Sequence, residues 1–198
     1  MLSFKLLLEK LSTDHEELTK AHDHNLMSPN EKKHLKKYVI DSFETNSDLF
    51  DGRVPPESKH LDSAISKYKV PKDLTVYSGT SIDPREKNNS KGILYHPGYL
   101  SSSLSRKFAR QHALKHGGWG NHDSHIIKLK VPKEQKALYL GKSPGFLKDI
   151  DEKELLLPRG LKMRHIRTTS IPDSKTNGGI NDYTGEKLMK HIHHMEIV

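Results

Sequence analysis

The segment "EKELLLPRG", residues 152–160, decides the fold. Three consecutive leucines followed by Pro-Arg-Gly are typical of a short buried strand that ends in a turn. Glu152 and Glu154 stand two residues apart at its start, and residues i and i+2 of a strand point to the same face. Neighbouring carboxylates push their pKa values apart, so one can act as a base while the other stays ionised. Taken alone, the segment is explained more simply by a solvated loop that enters a strand, and the alternative is a paired-carboxylate site.

Two upstream stretches also have the residue pattern of short strands, namely "LTVYSGTS" (74–81) and "YLSSSLS" (99–105). In the first, a strand that ends in Gly79 lets another molecule approach the backbone closely. In the second, Ser101 and Ser103 share a strand face and could line a cleft. No nucleophile-elbow motif marks any of these serines as a nucleophile. Taken singly, each stretch is explained as well by an ordinary edge strand.

The order of the predicted elements indicates an α+β protein. Residues 1–70 are predicted to be helical, with a helix start at "SPNE" (28–31) and a loop at "ETNSDLFDGRV" (44–54). Apolar residues recur at helical spacing in this half, namely Leu35, Val39, Phe43, Leu61, Ile65 and Tyr68. Residues 71–198 read as about six or seven short strands with one short helix at "FARQHALKH". We expect a helical segment at 1–70 and a core at 71–198 within a single compact domain.

Composition narrows the classes of function. A formal net charge of +8 suggests nucleic acid or an acidic surface as a partner. The basic residues, however, alternate with apolar ones, which is typical of the solvent-exposed faces of helices and strands. There is no cysteine, which excludes disulfides and thiolate metal sites. The opening "MLSFKLLLEKL" is too short and too charged for a membrane span, so we expect an amphipathic helix and no membrane contact.

Fourteen histidines raise the question of a metal site. His112 and His116 stand four apart on a predicted helix, and His191 and His193 share a face of a predicted strand. No recognisable zinc motif accompanies either pair, so these histidines are interpreted as surface or cleft residues. The sequence predicts no metal.

The order of the three strand motifs resembles that of the mono-ADP-ribosyltransferases of the Arg-Ser-Glu class, the cholera-toxin-like group, and particularly their tailed-phage members. The resemblance spans roughly residues 70–167. "EKELLLPRG" is similar to the family's Glu-x-Glu motif, and "YLSSSLS" to its Ser-Thr-Ser motif with Ser102 for threonine. "VYSG" departs, because Ser78 stands where the family has the arginine that holds the dinucleotide phosphates. Four residues are candidates for the missing charge, namely Arg85, Arg106, Arg110 and Arg164.

The resemblance implies a pair of small packed β-sheets that form an NAD cleft, preceded by helices, with NAD as co-substrate and no metal. Six residues are implied to contact NAD: Tyr77, Ser78, Gly79, Ser101, Ser103 and Glu154. Ser101 is implied to orient Glu154, which stabilises the cation that develops as nicotinamide leaves, and Glu152 to deprotonate the acceptor, an arginine. In the loop 141–151, Phe146 is implied to recognise the target.

The resemblance implies an NAD-dependent mono-ADP-ribosyltransferase that modifies a host protein in the cytoplasm of a bacterial host, with delivery by a phage virion. Two alternatives stay open. An NAD glycohydrolase would use water as the acceptor, and a non-catalytic basic protein would bind nucleic acid through its charged surface.

Overall fold

The protein divides into two compact units in a computed structural model, which describes residues 4–80, 82–87, 91–116, 122–141, 152–173, 184 and 186–198. The first unit comprises Met1–Leu74, His96–Leu104 and Pro132–Leu161. The second comprises Thr75–Tyr95, Ser105–Val131 and Lys162–Val198. The predicted helical segment 1–70 thus lies in the first unit together with strands from later in the chain.

Four helices belong to the first unit: α1 Phe4–Ala21, α2 Pro29–Ile40, α3 Phe43–Phe50 and α4 Ser58–Ser66. The predicted start of α2 is confirmed, because Ser28 accepts a hydrogen bond from the Glu31 amide and the Glu31 carboxylate accepts one from the Ser28 amide. Burial of Glu31 acts to raise its pKa, but hydrogen bonds led by that from Lys67 outweigh it and lower the pKa to about 2. None of the helices in the described ranges is long and apolar enough to cross a membrane.

Two expectations for this half were wrong. Residues 44–50, predicted as a loop, belong to α3. Phe43, predicted to continue the apolar face of Leu35, is 78% exposed because α2 ends at Ile40 and Phe43 begins the next helix. The Asp41 side chain accepts a hydrogen bond from the Phe43 amide and so stabilises the break between the two helices.

Eight strands occur in the described part of the chain: β1 Leu74–Thr80, β2 Ile93–His96, β3 Leu100–Ser103, β4 Ser124–Val131, β5 Leu138–Tyr139, β6 Glu154–Leu157, β7 Leu161–Pro172 and β8 Met189–Ile197. In the first unit, β6 pairs antiparallel with β3 on one side and β5 on the other. The three leucines of β6 are fully buried, as predicted, and Leu156 packs in a core with Leu35, Leu61 and Tyr99.

In the second unit the strand order is β2-β7-β8-β4-β1, with β8 parallel to β4 and antiparallel to β7. Helix α5, Arg106–His116, joins this unit. Strand β2 was missed in the sequence because its four residues follow a polar stretch. Helices followed by a strand-rich half confirm the predicted α+β class with N-terminal helices.

Candidate functional site

Ser101, Ser103 and Glu154 of the strand motifs lie on one face of the β3–β6 pair. Ser101 Oγ donates a hydrogen bond to Glu154 Oε1 at 2.5 Å, and Ser101 is exposed. In the ladder Glu154 lies opposite Ser103, so Ser101 is its diagonal neighbour on the same face. The hydrogen bond that the resemblance implied is therefore present, and it holds a carboxylate at an accessible strand end.

Glu152 does not belong to the strand, which corrects the argument from strand alternation. Strand β6 begins at Glu154, and Lys153 has a φ of +49°, in the left-handed region. That conformation costs a non-glycine residue roughly 1–2 kcal/mol. Because the backbone reverses its twist at Lys153, the two-residue alternation of a strand does not set the direction of the Glu152 side chain.

Side chains and backbone of β3 hold this segment in place. Ser103 Oγ donates to the Glu152 carbonyl at 2.6 Å, and the Leu104 amide donates to the Lys153 carbonyl at 3.1 Å. Ser103 is buried, with 5% of its surface exposed. Its hydroxyl thus positions the loop that carries Glu152, while the contact with NAD implied for Ser103 stays a prediction.

Helix α2 brings a phenol to the same carboxylate. Burial raises the pKa of Tyr38 well above its usual value, and the negative charge of Glu154 raises it further. The Tyr38 hydroxyl accepts a hydrogen bond from Asn46 Nδ2 at 3.0 Å, and the Tyr99 amide donates to Asn46 Oδ1 at 2.9 Å. Asn46 of α3 therefore connects the tyrosine near Glu154 to the residue that precedes β3.

The arginine of the "LLLPRG" motif ties the other end of β6 to α4. Arg159 donates to both carboxylate oxygens of Asp62, with Nη2 2.8 Å from Oδ2. Tyr99 donates to Asp62 Oδ1 at 2.7 Å and to the Ser58 carbonyl at 3.0 Å. One carboxylate thus receives donors from the segments next to both β3 and β6, and fixes those strands relative to the helix.

The first motif, on β1, lies in the second unit. Ser78 is 8% exposed and faces the same side of the strand as the buried Val76. Gly79 is required by packing, because a Cβ there would lie 1.9 Å from the Ala109 carbonyl oxygen of α5. The glycine therefore permits close approach of a helix of the protein itself, and its implied contact with nicotinamide stays a prediction.

Three of the four arginines proposed to supply the missing charge are paired with carboxylates. Arg85 pairs with Asp83, Arg110 with Asp173, and Arg164 with Glu196. Arg106 is exposed at the first position of α5, and no ion pair involves it among the described residues. Burial raises the pKa of Tyr77, and the positive charge of Arg106 opposes that rise.

Two further findings concern residues outside the strand motifs. Phe146 lies outside the described residues. The sequence reading missed a cluster of ionisable side chains in the second unit, formed by Asp83, His125 and His193. Only the alternation of His191 and His193 along one strand hinted at it, because the other members come from distant parts of the chain.

The chain is similar in sequence to a curated protein. The curated relative NAD(+)--arginine ADP-ribosyltransferase EFV of Enterococcus faecalis is 27% identical over 145 residues, which is 69% of this chain. The chain spans 28% of the length of that relative.

Solved structures share the fold. Plx2a, an ADP-ribosyltransferase toxin from Paenibacillus larvae, has a TM-score of 0.64 and 17% identity over 100% of both chains. C3stau2 from S. aureus, solved with NAD, has a TM-score of 0.66 and 19% identity over 96% of this chain and 95% of its own. A family model described as ADP-ribosyltransferase exoenzyme matches residues 9–185. Because this match covers most of the chain, the chain belongs to the ADP-ribosyltransferase exoenzyme family.

Proposed function

We propose that the protein is an NAD-dependent mono-ADP-ribosyltransferase that transfers ADP-ribose to an arginine of a protein and releases nicotinamide. The hydrogen bond from Ser101 to Glu154 carries this proposal, because it holds a half-buried carboxylate in the strand motif that typifies the family. The name of the relative from Enterococcus faecalis supports arginine as the acceptor.

Glu154 is proposed to stabilise positive charge on the substrate sugar. Cleavage of a glycosidic bond passes through an oxocarbenium-like state, and a fixed carboxylate stabilises such a cation best when it does not have to reorient. Ser101 fixes Glu154 by a hydrogen bond of 2.5 Å, and β6 fixes its backbone. These contacts restrict the carboxylate before substrate binds.

Glu152 is proposed to accept a proton from the acceptor. A guanidinium group stays protonated at neutral pH and is a poor nucleophile, so an arginine acceptor needs a base. The conformation of Lys153 and the bond from Ser103 to the Glu152 carbonyl set where this side chain leaves the backbone. Two glutamates placed by different backbone conformations can serve two different partners.

Arg106 is proposed to replace the family arginine in binding the phosphates of NAD. It is exposed, its charge acts on the Tyr77 hydroxyl, and it begins helix α5, whose N-terminal amides also favour anions. Ser78 is buried, and its hydroxyl can donate only a single hydrogen bond, not a charged fork. The phage origin, the action in a bacterial cytoplasm and the nucleic-acid contact stay predictions from the sequence.

The test separates transfer from hydrolysis. Adenylate-labelled NAD is incubated with wild type, Glu152→Gln or the control Glu134→Gln, with and without a soluble guanidinium acceptor, and in parallel with a bacterial lysate. Glu134→Gln is the control, because Glu134 is an exposed glutamate that pairs with Lys69 and the same substitution there lies away from the candidate site.

The proposal predicts label on the acceptor and on discrete lysate proteins for wild type and Glu134→Gln. In Glu152→Gln, label transfer is lost while nicotinamide release continues. Nicotinamide release by wild type without any transfer would favour the glycohydrolase. Equal loss of both reactions in Glu152→Gln would contradict a separate role for this residue.

A further inference from the structure

We propose that Asp83, His125 and His193 form a binding site for a divalent transition-metal ion, with Zn²⁺ as the best-fitting candidate. The three residues come from three segments of the second unit: the loop after β1, strand β4 and strand β8. Each offers one ligand atom, and these atoms all lie within 4.8 Å of one another.

The distances suit a tetrahedral ion. Nitrogen and oxygen ligands bind zinc at about 2.0–2.1 Å, which places them about 3.3 Å apart in a tetrahedron. His125 Nδ1 and His193 Nε2 are 3.1 Å apart, and His193 Nε2 lies 3.9 Å from Asp83 Oδ1. The two imidazoles are therefore at ligand spacing already, and the Asp83 carboxylate lies within 4.8 Å of both.

Surrounding residues orient the buried histidine. His193 is fully buried, and its Nδ1 lies 3.0 Å from Thr168 Oγ1, which in turn lies 2.9 Å from His165 Nε2. A proton on Nδ1 that is donated to Thr168 leaves the Nε2 lone pair directed at His125. Metal-binding histidines typically make such a bond through the other ring nitrogen.

The protonation states suit a metal as well. Burial lowers the pKa of His193 to about 4 and also lowers the pKa of His125. Burial acts to raise the pKa of Asp83, but hydrogen bonds from Arg85 outweigh it and hold that pKa below its usual range. All three groups thus have their ligand forms at neutral pH, two neutral imidazoles and one carboxylate.

An ion can reach the site. An open pocket is lined by Asp83, Arg85, Asp123, His125 and His191, among others. Two of the three ligands, Asp83 and His125, line this pocket, while His193 is buried behind them. A fourth position on the pocket side would be taken by water, as in many zinc sites. A bound ion would join the loop at residue 83 to two strands of the second unit.

Arg85 competes with the ion for the carboxylate. Its Nε lies 3.0 Å and 2.9 Å from the two oxygens of Asp83. The arginine is half exposed and stands two residues away on the same loop, so it can turn into solvent. The site is accordingly expected to bind zinc more weakly than one whose carboxylate has no cation beside it.

The experiment measures zinc binding directly, and its outcome does not depend on catalysis. The full chain, freed of any histidine tag and of metal, is titrated with Zn²⁺ by calorimetry, and with Co²⁺ by visible absorption. The variants are Asp83→Asn and His125→Gln, which avoid the fully buried His193, and circular dichroism checks their folding. His191→Gln, in the same pocket, and His60→Gln, in the first unit, are the controls.

We expect wild type to bind one Zn²⁺ per chain, to give the intense absorption of four-coordinate Co²⁺, and to show a higher Tm with zinc. Asp83→Asn and His125→Gln should each weaken binding at least tenfold, since even outer-shell partners change metal affinity by about 10- to 100-fold. Both controls should bind zinc nearly as wild type does. Any one of three results would disprove the site. These are no stoichiometric zinc binding by wild type, unchanged zinc affinity in either ligand variant, and a loss of zinc affinity in His191→Gln as large as in the ligand variants.

Discussion

Ser101 and Glu154 are hydrogen-bonded across two strands although they are not opposite each other in the ladder. Ser101 lies opposite Leu156, and Glu154 lies opposite Ser103. The bond, 2.5 Å from Oγ to Oε1, therefore joins diagonal neighbours on one face of the strand pair. Any change in the register of these strands would move the carboxylate away from the hydroxyl that holds it.

Removing the Ser101 hydroxyl should lower catalysis without unfolding the protein. Ser101→Ala is expected to lower kcat for nicotinamide release about tenfold or more, because a hydrogen bond to a charged group contributes roughly 1.5–3 kcal/mol. Ser101→Thr should restore much of the rate, since it keeps the hydroxyl.

The neighbouring serine provides the control. Ser102 Oγ donates to the Leu155 carbonyl at 2.7 Å inside the core. Ser102→Ala is expected to lower the free energy of unfolding by about 1 kcal/mol and to leave kcat nearly unchanged. If both alanine variants lost the same activity, the Ser101 bond would have no special role.

Replacing Arg106 should weaken binding of NAD. Arg106→Gln is expected to lower kcat/KM for NAD about tenfold to hundredfold, mainly through KM, because a charge-assisted bond to phosphate is lost. Arg164→Gln is the control, since Arg164 is also exposed but pairs with Glu196 at 3.3 Å. Steady-state kinetics at varied NAD concentration checks this, and indistinguishable KM values for the two variants would exclude Arg106.

Lys153 should be sensitive to backbone preference rather than to charge. Its φ of +49° suits asparagine but not a β-branched residue. Lys153→Asn is expected to keep stability and transfer activity, whereas Lys153→Val should cost about 1–2 kcal/mol more in unfolding free energy and should reduce transfer. Urea denaturation and label transfer measure the two effects. Equal behaviour of the variants would show that this conformation does not position Glu152.

Stability should fall as the solution becomes weakly acidic. Burial lowers the pKa of His22 from 6.5 to about 4, with the Tyr139 amide donating to its Nδ1 and its Nε2 3.2 Å from the Lys69 carbonyl. Between pH 6.5 and about pH 4 the His22 imidazole is protonated in the unfolded chain but neutral in the folded chain. The stabilisation of the folded state by neutral, buried His22 is therefore complete above about pH 6.5 and is lost as the pH falls to about 4. The loss from this histidine is on the order of 3 kcal/mol.

Urea denaturation of wild type and His22→Gln, from pH 7.5 down to 4.5, tests this effect. The variant should be less stable than wild type at pH 7.5 but should lose less stability as the pH falls. Parallel pH profiles for the two proteins would show that His22 is not the group responsible.

Local patterns were enough to predict the strands that carry the candidate site, whereas the roles of their serines and glutamates came from the resemblance to a family. The run Leu155 to Leu157 predicts a buried strand, because a short apolar run bounded by turn residues is typical of one. Alternation along β3 predicts that Ser101 and Ser103 share a face. Glu152 could not be placed this way. The positive φ at Lys153 is imposed by bonds from Ser103 and Leu104, which are about 50 positions away in the chain.

Other features depend on contacts that the sequence does not display. Helix α3 has few apolar residues, and it is held by Asn46, which bonds to Tyr38 and Tyr99. The cluster of Asp83, His125 and His193 exists because β8 runs parallel beside β4, and strand order is not encoded in local periodicity.

The most direct test of the central claim is the rate of nicotinamide release from NAD by wild type, Glu154→Gln and Glu134→Gln. The proposed role of Glu154 predicts a rate lower by about 100-fold or more in Glu154→Gln, because a preorganised charge near the developing cation is lost. Glu134→Gln should match wild type. Release by Glu154→Gln at the wild-type rate would contradict the account, as would no release by folded wild type at saturating NAD.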